Sequence, residues 1–158
     1  MIRLFARIGR DCRATAIVEL ALAAPILAAL VVGMVDVSRG YSTRLQLEQA
    51  AQRSIEKAMQ ATKATSLYVT LKAEGAEAAG VSIAAVDVQY WLECNGTRQT
   101  GSTMETAYNQ NCNVGETYAR YLTVEITKAY VPMFAVKMAG SNADGTYTLK
   151  GKAGIRVQ

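Results

Sequence analysis

The chain reads as an α+β protein: a long N-terminal helix, apolar all round in its first half and amphipathic in its second, followed by a small antiparallel β-sheet. Three observations predict this. Leu20 to Val35 contains no charged residue, apolar positions then recur at steps of three and four as far as Met59, and beyond Val86 the period changes to two.

The apolar run from Ala14 to Val35 is roughly 22 residues long, close to the ~20 that cross a bilayer as a helix. Upstream, Arg3, Arg7, Arg10 and Arg13 outweigh Asp11, so the positive-inside bias keeps that end cytoplasmic and sends the remainder outward. The expected organisation is a basic cytoplasmic leader over 1–14, a transmembrane helix over 15–35, an amphipathic helical extension over 36–62 and an exported α+β domain over 63–158. A removed secretory signal also has a basic start and an apolar run. Here the small-x-small candidates, such as Ala21 to Ala23, fall inside the run, and Glu19 is out of place in such a core. The segment is therefore expected to be an uncleaved anchor or a specially processed one.

The net charge of +4 resembles a nucleic-acid signal until it is divided along the chain. The leader holds most of the surplus, which leaves the exported part close to neutral, so the basic balance reports topology and no nucleic-acid partner is expected. About 120 residues follow the span, enough for one small domain. Cys94 and Cys112 fall in the exported part and Cys12 on the other side of the span. An oxidising compartment lets the first two pair, closing a loop of roughly 17 residues worth on the order of 3 kcal/mol; the alternative is two separate thiols. With no second cysteine pair and no histidine, no metal site and no cofactor are expected.

Past Asp36 the helical pattern continues through Val37, Tyr41, Leu47, Ala50, Ala51, Ser54, Ile55, Ala58 and Met59, with Arg39, Arg44, Glu48, Arg53, Glu56 and Lys57 between them. Pro25 lacks an amide proton and crowds the carbonyl four residues earlier, so a kink is expected there. Ser66 to Ala79 reads as a short helix stopped by Gly80. Val86, Val88, Tyr90, Leu92 and Cys94 then alternate with Asp87, Gln89, Trp91 and Glu93, the pattern of a strand with one buried face. A second strand is expected at Leu122 to Thr127 and a third from Tyr147 to the end. Ser141 to Gly145 is a turn signal that makes these two antiparallel. Asn95 to Gly115, rich in Asn, Gly and Thr, reads as a long surface loop, and Asn95-Gly96-Thr97 within it matches a glycosylation acceptor pattern too short to carry weight.

A membrane helix that becomes amphipathic and leads into a small antiparallel sheet is the build of a pilin. The ordered set Arg13-Ala14-Thr15-Ala16-Ile17-Val18-Glu19-Leu20-Ala21-Leu22, then Pro25, Gly33, Asp36, Arg39 and the Leu47 to Arg53 segment resembles the TadE-like pseudopilins of the bacterial tight-adherence pilus machinery. The closing Tyr130-Val131-Pro132-Met133-Phe134 and Ile155-Arg156-Val157-Gln158 also look like that family's end. The resemblance implies a pilin-like fold in the bacterial inner membrane with a periplasmic C-terminal domain. It also implies a prepilin peptidase as partner, cutting between Ala14 and Thr15 so that Glu19 becomes the fifth residue of the mature chain; Ala14 stands where family members often carry glycine. Other pilin-like subunits and an inner-membrane pilus assembly platform are the further partners implied.

Glu19 has a physical argument of its own. A carboxylate inside a bilayer costs roughly 2.5 to 3.5 kcal/mol, so it is expected to have a partner, by resemblance the new amino terminus, unless it snorkels to the interface. Glu19 and Pro25 are therefore the candidates for helix assembly, and the small residues Ala21, Ala23, Ala24, Ala28 and Ala29 permit close helix approach.

Catalysis is not expected. The chain has no histidine, no Gly-x-Ser-x-Gly elbow and no phosphate loop, and its acidic residues are scattered singly. The leading expectation is a minor pilin-like subunit for pilus assembly; the alternative is an unprocessed, single-span periplasmic scaffold or binding protein. A third reading, an adhesin, would use Tyr108, Asn109, Gln110 and Asn111 of the polar loop, or Trp91, as contact residues.

Overall fold

The computed structural model describes residues 12–60, 67–133 and 140–157. The leader arginines Arg3, Arg7 and Arg10, the boundary expected at 62, and Ser66, Phe134 and Gln158 lie outside the described residues. The chain divides into two units, Met1–Arg39 and Gly40–Gln158.

The first unit consists, where described, of the beginning of helix α1, Cys12–Gln60, which runs unbroken through Pro25. Every side chain from Ala16 to Val31 is exposed, apolar ones included. A helix apolar on all sides is either a core helix or a membrane span, and the exposure of this stretch is not that of a core helix.

In the second unit α1 becomes one-sided. Leu47, Ala50, Ala51, Ser54 and Ile55 are buried, with Ala58 partly so, at spacings of three and four. Ser54 is the one buried polar residue among those described, and its hydroxyl donates to the Ala50 carbonyl at 2.9 Å. Val37, Tyr41 and Met59, expected on the buried face, are 75%, 64% and 64% exposed. At 3.6 residues per turn Tyr41 and Met59 fall about 100° round the helix from the centre of the buried stripe. Val37 precedes the unit boundary and is exposed with the rest of the apolar segment.

Helix α2, Leu67–Ala79, adds Leu71 and Ala76 to the core and is tied to α1 by a Lys57–Glu74 ion pair. It stops at Gly80, whose φ of +60° only glycine adopts readily, with Val81 N–H donating to the Ala76 carbonyl and Gly80 N–H to that of Glu77. One 3₁₀ turn, Ile83–Ala85, leads into β1, Val86–Cys94. The sheet order is β2-β1-β3-β4, all antiparallel, with β2 at Thr97–Arg98, β3 at Tyr118–Tyr130 and β4 at Tyr147–Arg156. The α+β class, the long helix and the small antiparallel sheet are thus as the sequence predicts.

Alternation places Val86, Val88, Leu122, Val124 and Ile126 on the helix side of the sheet, joined at its margin by Leu149, Ala153 and Ile155. Gly151 lies where β4 meets α1, with the Leu47 and Glu48 backbone occupying the space a side chain would need.

The region expected as a long surface loop, 95–115, contains a strand and a short helix. Asn95 and Gly96 take φ of +49° and +76° and turn β1 into β2. A short helix α3, Met104–Tyr108, is capped by Thr103, which exchanges hydrogen bonds with Thr106. β3 is also longer than expected, extending to Tyr118 and Tyr130 at its two ends.

Candidate functional site

The residues expected to direct processing and assembly all lie on α1. Ala14 and Thr15 are in its first turns, and Glu19 and Pro25 are exposed on its apolar part. Glu19 is the only charge between Ala14 and Val35, and Asp36 is the next. The rise between Glu19 and Asp36 is about 26 Å at 1.5 Å per residue, comparable with the ~30 Å hydrocarbon core of a bilayer. By length and composition, the helix over Ala16–Met59 is apolar enough to cross a membrane, and none of its most apolar stretch is buried.

Cys94 and Cys112 form the expected disulfide, with Cα atoms 5.6 Å apart. It fastens the end of β1 to the chain after α3. Glu116 is close to both sulfurs, and this is the only cluster of potential metal ligands among the described residues. With both sulfurs joined to each other, neither thiolate is available to a metal.

The adhesin reading fares unevenly. Tyr108 is buried, not displayed: its ring meets Tyr90 edge-on at 5.3 Å between centroids, and the Arg120 guanidinium lies 5.5 Å from its centre. Arg120 also donates to the carbonyls of Tyr108 and Gln110, and the Gln110 amide donates to the Thr100 carbonyl. Tyr108 is therefore an anchor that closes the 95–117 region onto the sheet. Sequence reasoning missed this because the burial comes from a partner eighteen residues away on β1. Asn109, Gln110 and Asn111 are exposed.

Trp91 does lie on the sheet face turned away from α1, half-buried. Tyr121 of β3 stacks on it at 5.2 Å, Arg98 of β2 sits 4.8 Å from its ring centre, and its indole N–H donates to the Glu93 carboxylate at 2.8 Å. With neighbours from both flanking strands and a satisfied N–H, its surroundings are those of a cross-strand staple.

Tyr90 is the titrating group whose surroundings matter most. Burial pushes its phenol above the ordinary 10.0, and the negative charge of Glu105 adds to the effect. A depression of about 320 Å³ between α1 and α2 is lined by Arg53, Ser54, Lys57, Glu74 and Glu77. No nucleophile is poised beside a base there, since the Ser54 hydroxyl is committed to Ala50 and Lys57 to Glu74.

Residues 14–55 match the family model for TadE-like proteins. The match ends at Ile55, on the stripe that α1 packs against the sheet. The closing segments at 130–134 and 155–158 fall outside the match. No curated protein and no solved structure matches the chain.

Proposed function

We propose that this protein is a minor pilin-like subunit, a pseudopilin, for assembly of a tight-adherence type IV pilus. The observation that carries the reading is the TadE-like match over residues 14–55 lying on a helix whose side chains from Ala16 to Val31 are all exposed, with Glu19 near its start. In this reading residues 15–35 hold the chain in the bacterial inner membrane and the C-terminal unit is periplasmic. The Cys94–Cys112 disulfide supports an oxidising compartment for that unit. A prepilin peptidase removes the leader between Ala14 and Thr15, and the freed helix packs with those of other subunits at the assembly platform. The role is structural and not catalytic.

The test is the intact mass and N-terminal sequence of protein recovered from membranes, with and without a co-expressed tight-adherence prepilin peptidase. A start at Thr15 that depends on the peptidase is the expected result. A Met1 start in both cases would replace the pseudopilin with a permanently anchored scaffold, and a start beyond Val35 would mean ordinary secretion.

A further inference from the structure

Toward its Cys94 end, the helix-side face of β1 leaves the main core: Leu92 and Cys94 are buried outside the principal hydrophobic cluster. Across the ladder they pair with Arg120 and Tyr118 of β3. The chain that follows α3 runs over this end of the sheet, fastened by the Cys94–Cys112 disulfide, and leaves an open depression of about 360 Å³ with buried Leu92 beneath it. Its other walls include Gln110, Asn111, Asn113, Glu116, Tyr118 and Arg120.

The groups that fix the shape are committed to one another. Arg120 donates to the carbonyls of Tyr108 and Gln110, and its guanidinium lies 5.5 and 5.7 Å from the ring centres of Tyr108 and Tyr118. One Glu116 carboxylate oxygen accepts the Asn113 backbone N–H at 2.9 Å. Next to it, the Asn95 side-chain oxygen accepts both the backbone N–H and the hydroxyl of Thr117. Walls held this way need little further ordering when a ligand arrives.

Other polar groups of the walls remain available. Among the described residues the side-chain amides of Asn111 and Asn113, the second Glu116 oxygen and the Tyr118 hydroxyl have no hydrogen-bond partner. Each amide both donates and accepts, the carboxylate accepts, and the phenol does either. Tyr118 is 48% exposed and so also offers part of its ring. The formal charges of Glu116 and Arg120 cancel, and the cation already serves two carbonyls and two rings, so the depression selects neither an anion nor a cation.

We propose that this depression binds a neutral saccharide. Adjacent sugar hydroxyls each donate and accept, which matches two amides beside a carboxylate, and the C–H face of a sugar ring suits the Tyr118 ring. The volume is at the low end of the roughly 300–1,000 Å³ usual for ligand pockets, so a mono- or disaccharide is the size that fits. The site uses residues of the second unit alone and does not rest on the pseudopilin reading.

The test uses the full chain in phosphocholine-detergent micelles, which contain no sugar, titrated with lactose, maltose, mannobiose and chitobiose. The readouts are saturation-transfer NMR of the sugar and the side-chain amide shifts of Asn111 and Asn113. At least one disaccharide is expected to bind in the millimolar range and to move both amides. Asn111→Ala and Tyr118→Ala are each expected to weaken that binding about five- to tenfold, as the loss of one such contact does. Val114→Ser, at a fully exposed neighbour outside the depression, is expected to leave it unchanged. Asn111 makes no hydrogen bond within the described chain, so its variant keeps the fold and the far-ultraviolet circular dichroism of the native protein. Absence of binding by all four sugars would overturn the proposal, as would binding that Asn111→Ala and Tyr118→Ala leave intact or that Val114→Ser weakens equally. Amide shifts produced by N-acetyl-trialanine amide and by none of the sugars would make this a peptide site and overturn it too.

Discussion

Gly151 of β4 faces the backbone of α1 at Leu47, so closely that a Cβ there would lie 2.5 Å from the Leu47 Cβ and nearer still to main-chain atoms. The long helix and the last strand therefore meet main chain to side-chain-less position, and the core of the second unit depends on that approach. Gly151→Ala is expected to destabilise the fold by about 3 kcal/mol, because a helix backbone cannot step aside as a flexible side chain can. Gly154→Ala, whose nearest neighbour is the Thr123 methyl at 3.0 Å, is expected to cost clearly less. Urea unfolding in micelles measures both, and equal midpoints for the two variants would refute the close contact.

The disulfide closes the 95–111 excursion. Cys94→Ser with Cys112→Ser is expected to lose about 3 kcal/mol, with faster hydrogen exchange concentrated around α3 and β2. In the unprocessed protein, alkylation without reductant should label Cys12 alone, and in the processed protein, which has lost Cys12 with its leader, it should label no cysteine. Labelling of Cys94 or Cys112 in protein taken directly from membranes would contradict the bridge.

The raised Tyr90 phenol gives stability a dependence on alkaline pH. A folded-state value above the unfolded 10.0 means that the folded chain holds this proton longer, so stability is intact below pH 10 and falls as pH rises toward and through the folded value. Burial is the main cause and Glu105 the lesser one. Tyr90→Phe removes the titration and should flatten the decline above pH 10 relative to the native chain. Parallel declines for the two proteins would show that Tyr90 is not its source.

Glu19→Gln separates processing from assembly under the proposed function. A carboxylate inside the bilayer needs a partner, and the mature amino terminus is the one available in a packed bundle of processed helices. The variant is expected to lose its leader normally and to enter sheared fibres roughly tenfold less than the native chain, equivalent to about 1.4 kcal/mol. Unchanged incorporation would leave Glu19 as a residue that merely snorkels.

Much of the fold was legible because its signals are local. The β1 limits follow from the alternation Val86 to Cys94, and the end of α2 follows from Gly80. β2 and α3 were legible in principle: Asn95-Gly96 is a hairpin turn sequence as well as part of a glycosylation pattern, and Thr103 to Thr106 is a capping spacing. Reading the segment by its polar composition hid both. Tyr108 could not have been placed from sequence, since nothing local distinguishes a displayed tyrosine from one turned under Arg120.

The sequence by itself determined the kinds of element and their order, from the charge-free run through Val35 to the two-residue period of the last strand. Such patterns arise from how each residue repeats along its own backbone. Tertiary structure decided which part of the amphipathic stripe is covered, that Tyr41 and Met59 stay exposed, and that Gly151 lies against Leu47. It also decided that Trp91 stands between Arg98 and Tyr121. These outcomes depend on which surfaces meet across long stretches of chain, and burial is a property of the meeting rather than of either residue alone.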